Sequence, residues 1–278
     1  VIVTNPQQKP AKTVGTPIDR WPAVFYAPHQ DDKAIGMAGA IRQHKEEGRP
    51  VYLVLLTSGA NRSLLDILNG STRCTWHQIN HNFQLTMEQM CWARKIEFVA
   101  SARRLEVDKV FVVNDGQGLD LSTSYKQRVK CIKQTIKRFE RKFPGASHHL
   151  VSGNLDLLPG GSATATNLSH QACWDAAMKL RSKISDFRFY RIYVYWKDQA
   201  DRDSQYQHDL KPEWQACKQA ALDEYKLFCP EAGRFALGYH DVPQLIDAAA
   251  ADPKEYLDLL PRSRRGIWGK IKQLTFER

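Results

Sequence analysis

The string His29-Gln30-Asp31-Asp32 puts one imidazole and two carboxylates within four consecutive residues. A neutral imidazole nitrogen and an anionic oxygen are ordinary ligands of Zn²⁺. A third protein ligand would leave one position open for water, the arrangement of a catalytic zinc site. His170 is the candidate for that third place. Asp31, next to a ligand yet not one itself, is placed to take a proton from the water. In a chain of this length and composition an H-x-D-D string arises by chance about 0.04 times, so the motif carries moderate weight alone. The bland alternative is that Asp31 and Asp32 cap the start of a helix while His29 packs nearby.

The other histidines compete less well. His77 and His81 are four apart, but position 78 is Gln where a zinc protease helix carries Glu. His148 and His149 are neighbours on an expected strand, so they point to opposite faces and cannot share a metal. His170 falls in the first turn of an expected helix whose core stripe is Leu168, Ala172, Ala176 and Leu180, and it points away from that stripe. The six cysteines, at 74, 91, 131, 173, 217 and 229, contain no C-x-x-C pair and no zinc-finger spacing. They read as reduced, mostly buried thiols.

The elements that must position these groups follow from hydrophobic periodicity. Strands are expected at Val24–Ala27, Val51–Thr57, Lys109–Val113, His149–Ser152 and Phe187–Tyr195. Helices are expected at Lys33–Glu47, Leu85–Arg104, Thr123–Phe143, Leu168–Lys183 and Glu213–Phe228. Strand and helix alternate, so the expected fold is α/β, a Rossmann-like three-layer α/β/α sandwich around a mainly parallel sheet. Ligands of such sheets bind beyond the carboxyl ends of the strands. That gathers His29 to Asp32, Thr57-Ser58-Gly59, Asn114-Asp115-Gly116 and the loop from Gly153 to His170. No Gly-x-Gly-x-x-Gly follows the first strand, which argues against a dinucleotide. Residues 60–84 carry Leu64, Leu65, Ile67, Leu68 and Trp76 and read as a mobile cap over the strand ends. One domain is expected over residues 1–278, with an α/β core at 22–195, the cap at 60–84 and a C-terminal extension at 196–278.

The chain has 278 residues, 42% hydrophobic and 25% charged, an ordinary globular balance. Its longest strongly apolar run, Val51 to Leu56, is too short to cross a bilayer, and the start shows no signal-peptide pattern, so a cytoplasmic address is expected. The net charge of +10 is regional: residues 126–142 hold eight Lys/Arg against one Glu, and residues 262–278 six against one. In the first region Val129, Ile132, Ile136, Phe139 and Phe143 recur at helical spacing opposite Lys126, Lys130, Lys133, Lys137 and Arg141, the pattern of an outer helix with a solvated basic face. No nucleic-acid partner is expected. The basic tail, with Ile267, Trp268, Ile271 and Leu274, suits either peripheral membrane contact or docking on its own domain.

Phe25-Tyr26-Ala27-Pro28-His29-Gln30-Asp31-Asp32, with the small-residue helix Ala34 to Ala40 behind it, resembles the A-H-P-D-D-E segment of the LmbE-like, or PIG-L, family of zinc-dependent N-acetylglucosamine deacetylases. Leu55 to Gly59 is similar to that family's second strand and turn. Arg94-x-x-Glu97 resembles its R-x-x-E helix, Asn114-Asp115-Gly116 its Asp-Gly, and Asn167-Leu168-Ser169-His170 its H-P-D-H. The resemblance implies an LmbE-like fold, Zn²⁺ held by His29, Asp32 and His170, Asp31 as general base, and Arg94 and Asp115 on sugar hydroxyls. Ser58 and Asn167 join these as expected substrate contacts. For Arg94 the bland alternative is an i,i+3 pair with Glu97 on a solvated helix.

Within the family the chain looks most like the deacetylases of an N-acetylglucosaminyl pseudoaglycone in teicoplanin-type glycopeptide antibiotic biosynthesis. Leu64, Leu65 and Trp76 are then expected against a bulky aglycone. The rival substrate is another N-acetylglucosaminide, such as a thiol-glycoside precursor. A rival of another class is a non-catalytic basic module binding anionic polymer or lipid. The chain departs from the family pattern at Lys33, Asn167 and Ser169, where the family has Glu, His and Asp. Lys33 opens a helix, where a cation is disfavoured, so its stem is expected to carry the ammonium to solvent or over the mouth of the site.

Overall fold

The computed structural model describes residues 3–4, 21–153, 167–196 and 204–259. Its strands are β1 (Val3–Thr4), β2 (Ala23–Ala27), β3 (Val51–Leu55), β4 (Lys109–Val112), β5 (Ser147–Val151), β6 (Phe187–Tyr190), β7 (Tyr206–Asp209), β8 (Phe228–Cys229), β9 (Arg234–Phe235) and β10 (Lys254–Leu259). The helices are α1 (Asp32–Gly36), α2 (Ala38–Glu46), α3 (Arg62–Leu68), α4 (Met87–Arg104), α5 (Tyr125–Lys142), α6 (Leu168–Met178), α7 (Pro212–Asp223), α8 (Leu237–Asp241) and α9 (Pro243–Ala251).

One sheet runs in the order β1-β4-β3-β2-β5-β6-β10-β7. The pairs from β4 to β6 are parallel, while β1, β10 and β7 join antiparallel at the edges. The expected α/β sandwich is therefore present, and residues 204–259 add strands to the same sheet. Every residue of β2 and β5 is buried, as central strands covered on both faces must be. One core, with Phe25, Ile35, Leu53, Phe98 and Tyr225, lies on one side of the sheet; the other, with Tyr26, Val54, Ile136, Ala176 and Phe189, lies opposite.

His148 and His149 do point to opposite faces. His148 meets the Tyr26 hydroxyl at 2.9 Å and Glu140 at 3.1 Å, and His149 meets the Tyr190 hydroxyl and Ser147 Oγ, each at 2.9 Å. Both are satisfied core groups.

The expected helix from Lys33 to Glu47 is two helices, because the chain turns out of helical geometry at Met37 (φ −134°). The buried Glu255 carboxylate of β10 then accepts the Gly39 and Ala40 amides at 2.8 and 3.1 Å, capping α2 from the far side of the fold. A Cβ at Gly39 would come within 2.7 Å of Leu210 and 3.2 Å of that carboxylate, so glycine permits the approach. The strand expected to run to Tyr195 stops at Tyr190, and the chain continues into a 3₁₀ turn at Tyr193–Trp196.

Residues 60–84 pack as part of the fold. Asn61 caps α3 by accepting the Leu64 amide at 3.2 Å. Leu64, Leu65 and Leu68 are buried with Met90, Ala93, Phe235 and Leu237 in a small core of their own. This corrects the expectation of an apolar cap facing substrate: the leucines are spent on packing. The α5 stripe Val129, Ile132, Ile136 and Phe139 is buried while Lys126, Lys130, Lys137 and Arg141 are exposed, as the outer-helix reading expects. Among the described residues no helix is long and apolar enough to cross a membrane. The basic tail at 262–278 and the loop at 154–166 lie outside the described residues.

Candidate metal centre and active-site cleft

The end of β2 and the start of α1 deliver His29, Asp31 and Asp32 together, and the first turn of α6 brings His170 to them. His170 is oriented locally: the Asn167 side chain accepts the Ser169 and His170 amides at 3.1 and 3.3 Å and opens the helix. This corrects the expected α6 stripe: Leu168 is exposed, and His170 lies on the buried face of the helix with Cys173 and Ala177, itself only 1% exposed.

His29 Nδ1 lies 3.1 Å from His170 Nε2 and 3.3 Å from Asp32 Oδ2, and His170 Nε2 lies 3.3 Å from Asp32 Oδ1. Ligand atoms at ~2.0–2.1 Å from a tetrahedral zinc stand about 3.3 Å from one another, so this triangle has the size of one face of such a site. The donor set, two imidazoles and one carboxylate, is equally suited to that ion. The His29 amide donates to Asp32 Oδ2 at 2.7 Å, which fixes the carboxylate. Burial pushes Asp32 upward, but His170 and His29 outweigh it and hold the carboxyl well below the usual carboxylate range. Asp32 is thus an anion without requiring a metal to make it one. The helix-cap alternative does not hold for Asp31, which occupies the N-cap of α1 with no side-chain capping bond.

Asp31 is also buried, but its environment acts the other way. Burial lifts it above the usual carboxylate range against the opposing Arg94 guanidinium, and the neighbouring Asp32 charge adds to the lift. Arg94 Nη2 lies 3.9 Å from Asp31 Oδ2 and 3.5 Å from Asp241 Oδ2. Arg94 is 3% exposed, so it is no part of a solvated helix. Nor does it pair with Glu97, whose carboxylate instead accepts the Leu237 and Gly238 amides at 2.6 and 3.2 Å.

Lys33 overturns both expectations for it. Its ammonium is fully buried, donating to the Gln30 carbonyl at 2.8 Å and to the Tyr225 hydroxyl, 4.2 Å from the centre of the Phe98 ring. It reaches neither solvent nor the mouth of the site, because Phe98 of α4 and Tyr225, just past α7, stand against it. Burial drives it well below the usual lysine range.

A cleft of about 570 Å³ opens over this centre. Its lining includes His29, Asp31, Asp32, Ser58, Arg94, Asn167 and His170, so these expected residues share one space. Leu64, Leu65 and Trp76 do not line it, nor does Asp115, which is exposed in the turn after β4 with φ of 51°. In its vicinity the cleft has Asp120 instead, together with Arg128, which donates to Ser169 Oγ at 3.1 Å. Asn61, Arg62 and Asp241 complete a polar wall that sequence reading missed. Nothing local marks Asp241; only the fold brings it to Arg94.

Residues 24–151 match the family model of PIG-L, described as GlcNAc-PI de-N-acetylase. The matched stretch is a little under half of the chain and holds the sheet's β2 to β5 with the His29 to Asp32 string. No curated protein matches the chain in sequence. Among solved structures, a triple mutant of a deacetylase of the teicoplanin biosynthetic pathway aligns with a TM-score of 0.59 at 15% identity, covering 88% of this chain and 99% of that one. The N,N'-diacetylchitobiose deacetylase of Pyrococcus horikoshii aligns at 0.54 and 15%, covering 87% and 85%. A 4-carboxy-2-hydroxymuconate hydratase of Pseudomonas putida aligns at 0.51 and 16%, covering 89% and 99%. At such identity the likeness is one of fold, and the same fold carries both deacetylase and hydratase chemistry.

Proposed function

We propose that the chain is a PIG-L-type, zinc-dependent de-N-acetylase of N-acetylglucosaminyl substrates, with His29, Asp32 and His170 as metal ligands. The observation that carries this reading is the size of the ligand triangle with Asp31 beside it: a three-ligand face, and a carboxylate next to it that is not needed as a ligand. A bound Zn²⁺ would supply Lewis acidity toward the amide carbonyl and lower the pKa of water toward ~7.

The remaining work falls to the chain. Asp31 accepts the proton of the attacking water, and its raised proton affinity suits it to hold that proton until the amine leaves. It then returns the proton to the amine nitrogen, so acetate and a free amine are the products. Arg94 fixes Asp31 from the side of α4 and keeps its empty state accessible. Ser58, Asn167, Asp120, Arg128 and Asp241 surround the opening with donors and acceptors of the kind that a polyhydroxylated ring requires.

A glycopeptide aglycone follows from the resemblance to pseudoaglycone deacetylases, and Leu64, Leu65 and Trp76 were the side chains expected to suit its bulk. With those side chains outside the cleft, the reading rests on the sugar, and the aglycone is a variable to be measured. The test is a panel of N-acetylglucosaminides, including a glycopeptide pseudoaglycone and a thiol-glycoside precursor, incubated with zinc-replete protein and followed by mass for loss of acetyl. Acetyl loss from one or more members supports the proposal; unchanged masses throughout, from protein that holds its zinc, would overturn it.

A further inference from the structure

A second group of ligand-type side chains lies outside the cleft. Cys74, His77 and His81 come from the segment between α3 and α4, and His240 comes from α8. One ligand atom from each, Sγ or an imidazole nitrogen, lies within 4.8 Å of all the others. We propose that these four residues bind a structural Zn²⁺ that clamps the 60–84 segment to the C-terminal part of the fold.

The distances carry the proposal. His77 Nδ1 is 3.2 Å from His81 Nε2, 3.3 Å from His240 Nε2 and 3.7 Å from Cys74 Sγ. With Zn–N of ~2.0–2.1 Å and Zn–S of ~2.3 Å, tetrahedral ligands stand about 3.3 Å apart between nitrogens and about 3.6 Å from sulfur to nitrogen. Hydrogen bonding gives a poorer explanation of the same contacts. A single ring nitrogen offers either one proton or one lone pair, yet His77 Nδ1 faces three heteroatoms at once. A central cation uses all four lone pairs together.

The surroundings orient the ligands as metal sites require. The second nitrogen of His240, Nδ1, lies 2.9 Å from the Ala236 carbonyl, the partner that fixes the tautomer and turns Nε2 inward. The His77 amide donates to Cys74 Sγ at 3.3 Å, a contact suited to an anionic sulfur. The loop closes on itself around Cys74: Cys74 donates its amide to the Ile79 carbonyl and accepts that of Gln78, both at 2.9 Å. Cys74 and His81 are buried, and Trp76, Phe83 and Phe228 pack on the imidazoles.

Four protein ligands close a tetrahedral ion against substrate, whereas three at His29, Asp32 and His170 leave it open, so the two centres divide into structural and catalytic roles. The structural ion would also bear on the cleft. His240 is followed by Asp241, which accepts from Asn61 Nδ2 at 3.0 Å and faces Arg94, so the clamp holds two walls of the cleft in register.

The test is metal content and the cobalt spectrum of the full chain. Wild-type protein should hold two zinc equivalents, and Cys74→Ser and His240→Ala should each hold one. His170→Ala should also lose one equivalent, but from the other centre. On cobalt substitution the wild type and His170→Ala should show thiolate-to-cobalt charge transfer in the near ultraviolet, and Cys74→Ser should not. Should the Cys74 and His240 variants fail to fold, the wild-type spectrum decides alone: thiolate charge transfer from a tetrahedral cobalt supports the site. A wild type with a single equivalent and no thiolate band would overturn it, whatever the fate of the deacetylase proposal.

Discussion

Asp31 and Asp32 are neighbours in the chain, yet their surroundings separate their proton affinities in opposite directions. Asp32 meets two imidazoles and stays anionic, while Asp31 is lifted by burial and by the charge beside it. Pairs of titratable groups pushed apart in this way divide the labour of a site. Asp31→Asn is therefore expected to keep its metal and lower turnover by ~10²–10⁴, read from metal content alongside steady-state rates. Turnover like that of the wild type would remove Asp31 from the chemistry. Arg94→Met should cost about 3 kcal/mol in denaturant unfolding, because it leaves Asp31 and Asp241 buried to differing degrees with no guanidinium between them. A cost below 1 kcal/mol would show that the two carboxylates do not depend on it. At this scale the sequence was legible where chemistry is contiguous, as in His29 to Asp32. It was mute for Asp241, which owes its place to an α4 residue far away in the chain. The Cys74-x₂-His77-x₃-His81 spacing was the readable signal of the second cluster, but its fourth member arrives only through α8.

Two buried glutamates do for elements what capping side chains usually do from nearby. Glu255 receives the N-terminus of α2, and Glu97 that of α8. Burial raises Glu97 to about 7, ahead of the lowering by Arg94 and by the two amides. A carboxyl whose folded pKa lies above its unfolded value near 4.5 contributes stability that is full below pH 4.5 and is lost as pH rises through about 7. Comparing wild type with Glu97→Gln by urea unfolding from pH 4.5 to pH 8 should thus show the balance moving against wild type by about 3 kcal/mol. A difference independent of pH would place the Glu97 pKa near its ordinary value. Leu64→Ala should cost ~2–5 kcal/mol in the same assay, as a buried leucine does, and affect small and bulky substrates alike. Preferential loss on a bulky substrate would restore Leu64 to the binding surface. Long periodic elements such as α4 and α5 were legible from their apolar stripes. The break at Met37, the packing of 60–84 and the short β8 to α8 stretch were not, since contacts with Glu255, Phe235 and Glu97 decide them.

At the scale of the whole molecule, a parallel sheet collects the ends of β2 and β3, the turn after β4 and the start of α6 into one opening. The alternation of strands and helices made that architecture readable through β6. The antiparallel edges β10 and β7 were missed because their short mixed sequences, such as Tyr206 to Asp209, carry little periodicity of their own. The resulting opening has a metal-sized triangle at its floor and polar walls around it, which suits cleavage of an acetamide on a sugar. The same fold also carries hydratase chemistry in another protein, so the bond that is broken must be observed directly. The most direct measurement is incubation of zinc-replete protein with an N-acetylglucosaminide in water enriched in oxygen-18, followed by mass analysis of both products. The expected result is acetate carrying one heavy oxygen and a glucosaminide with a free amine and no label. Heavy oxygen in the sugar, or an intact acetamide after full incubation, would contradict de-N-acetylation at the His29, Asp32 and His170 centre.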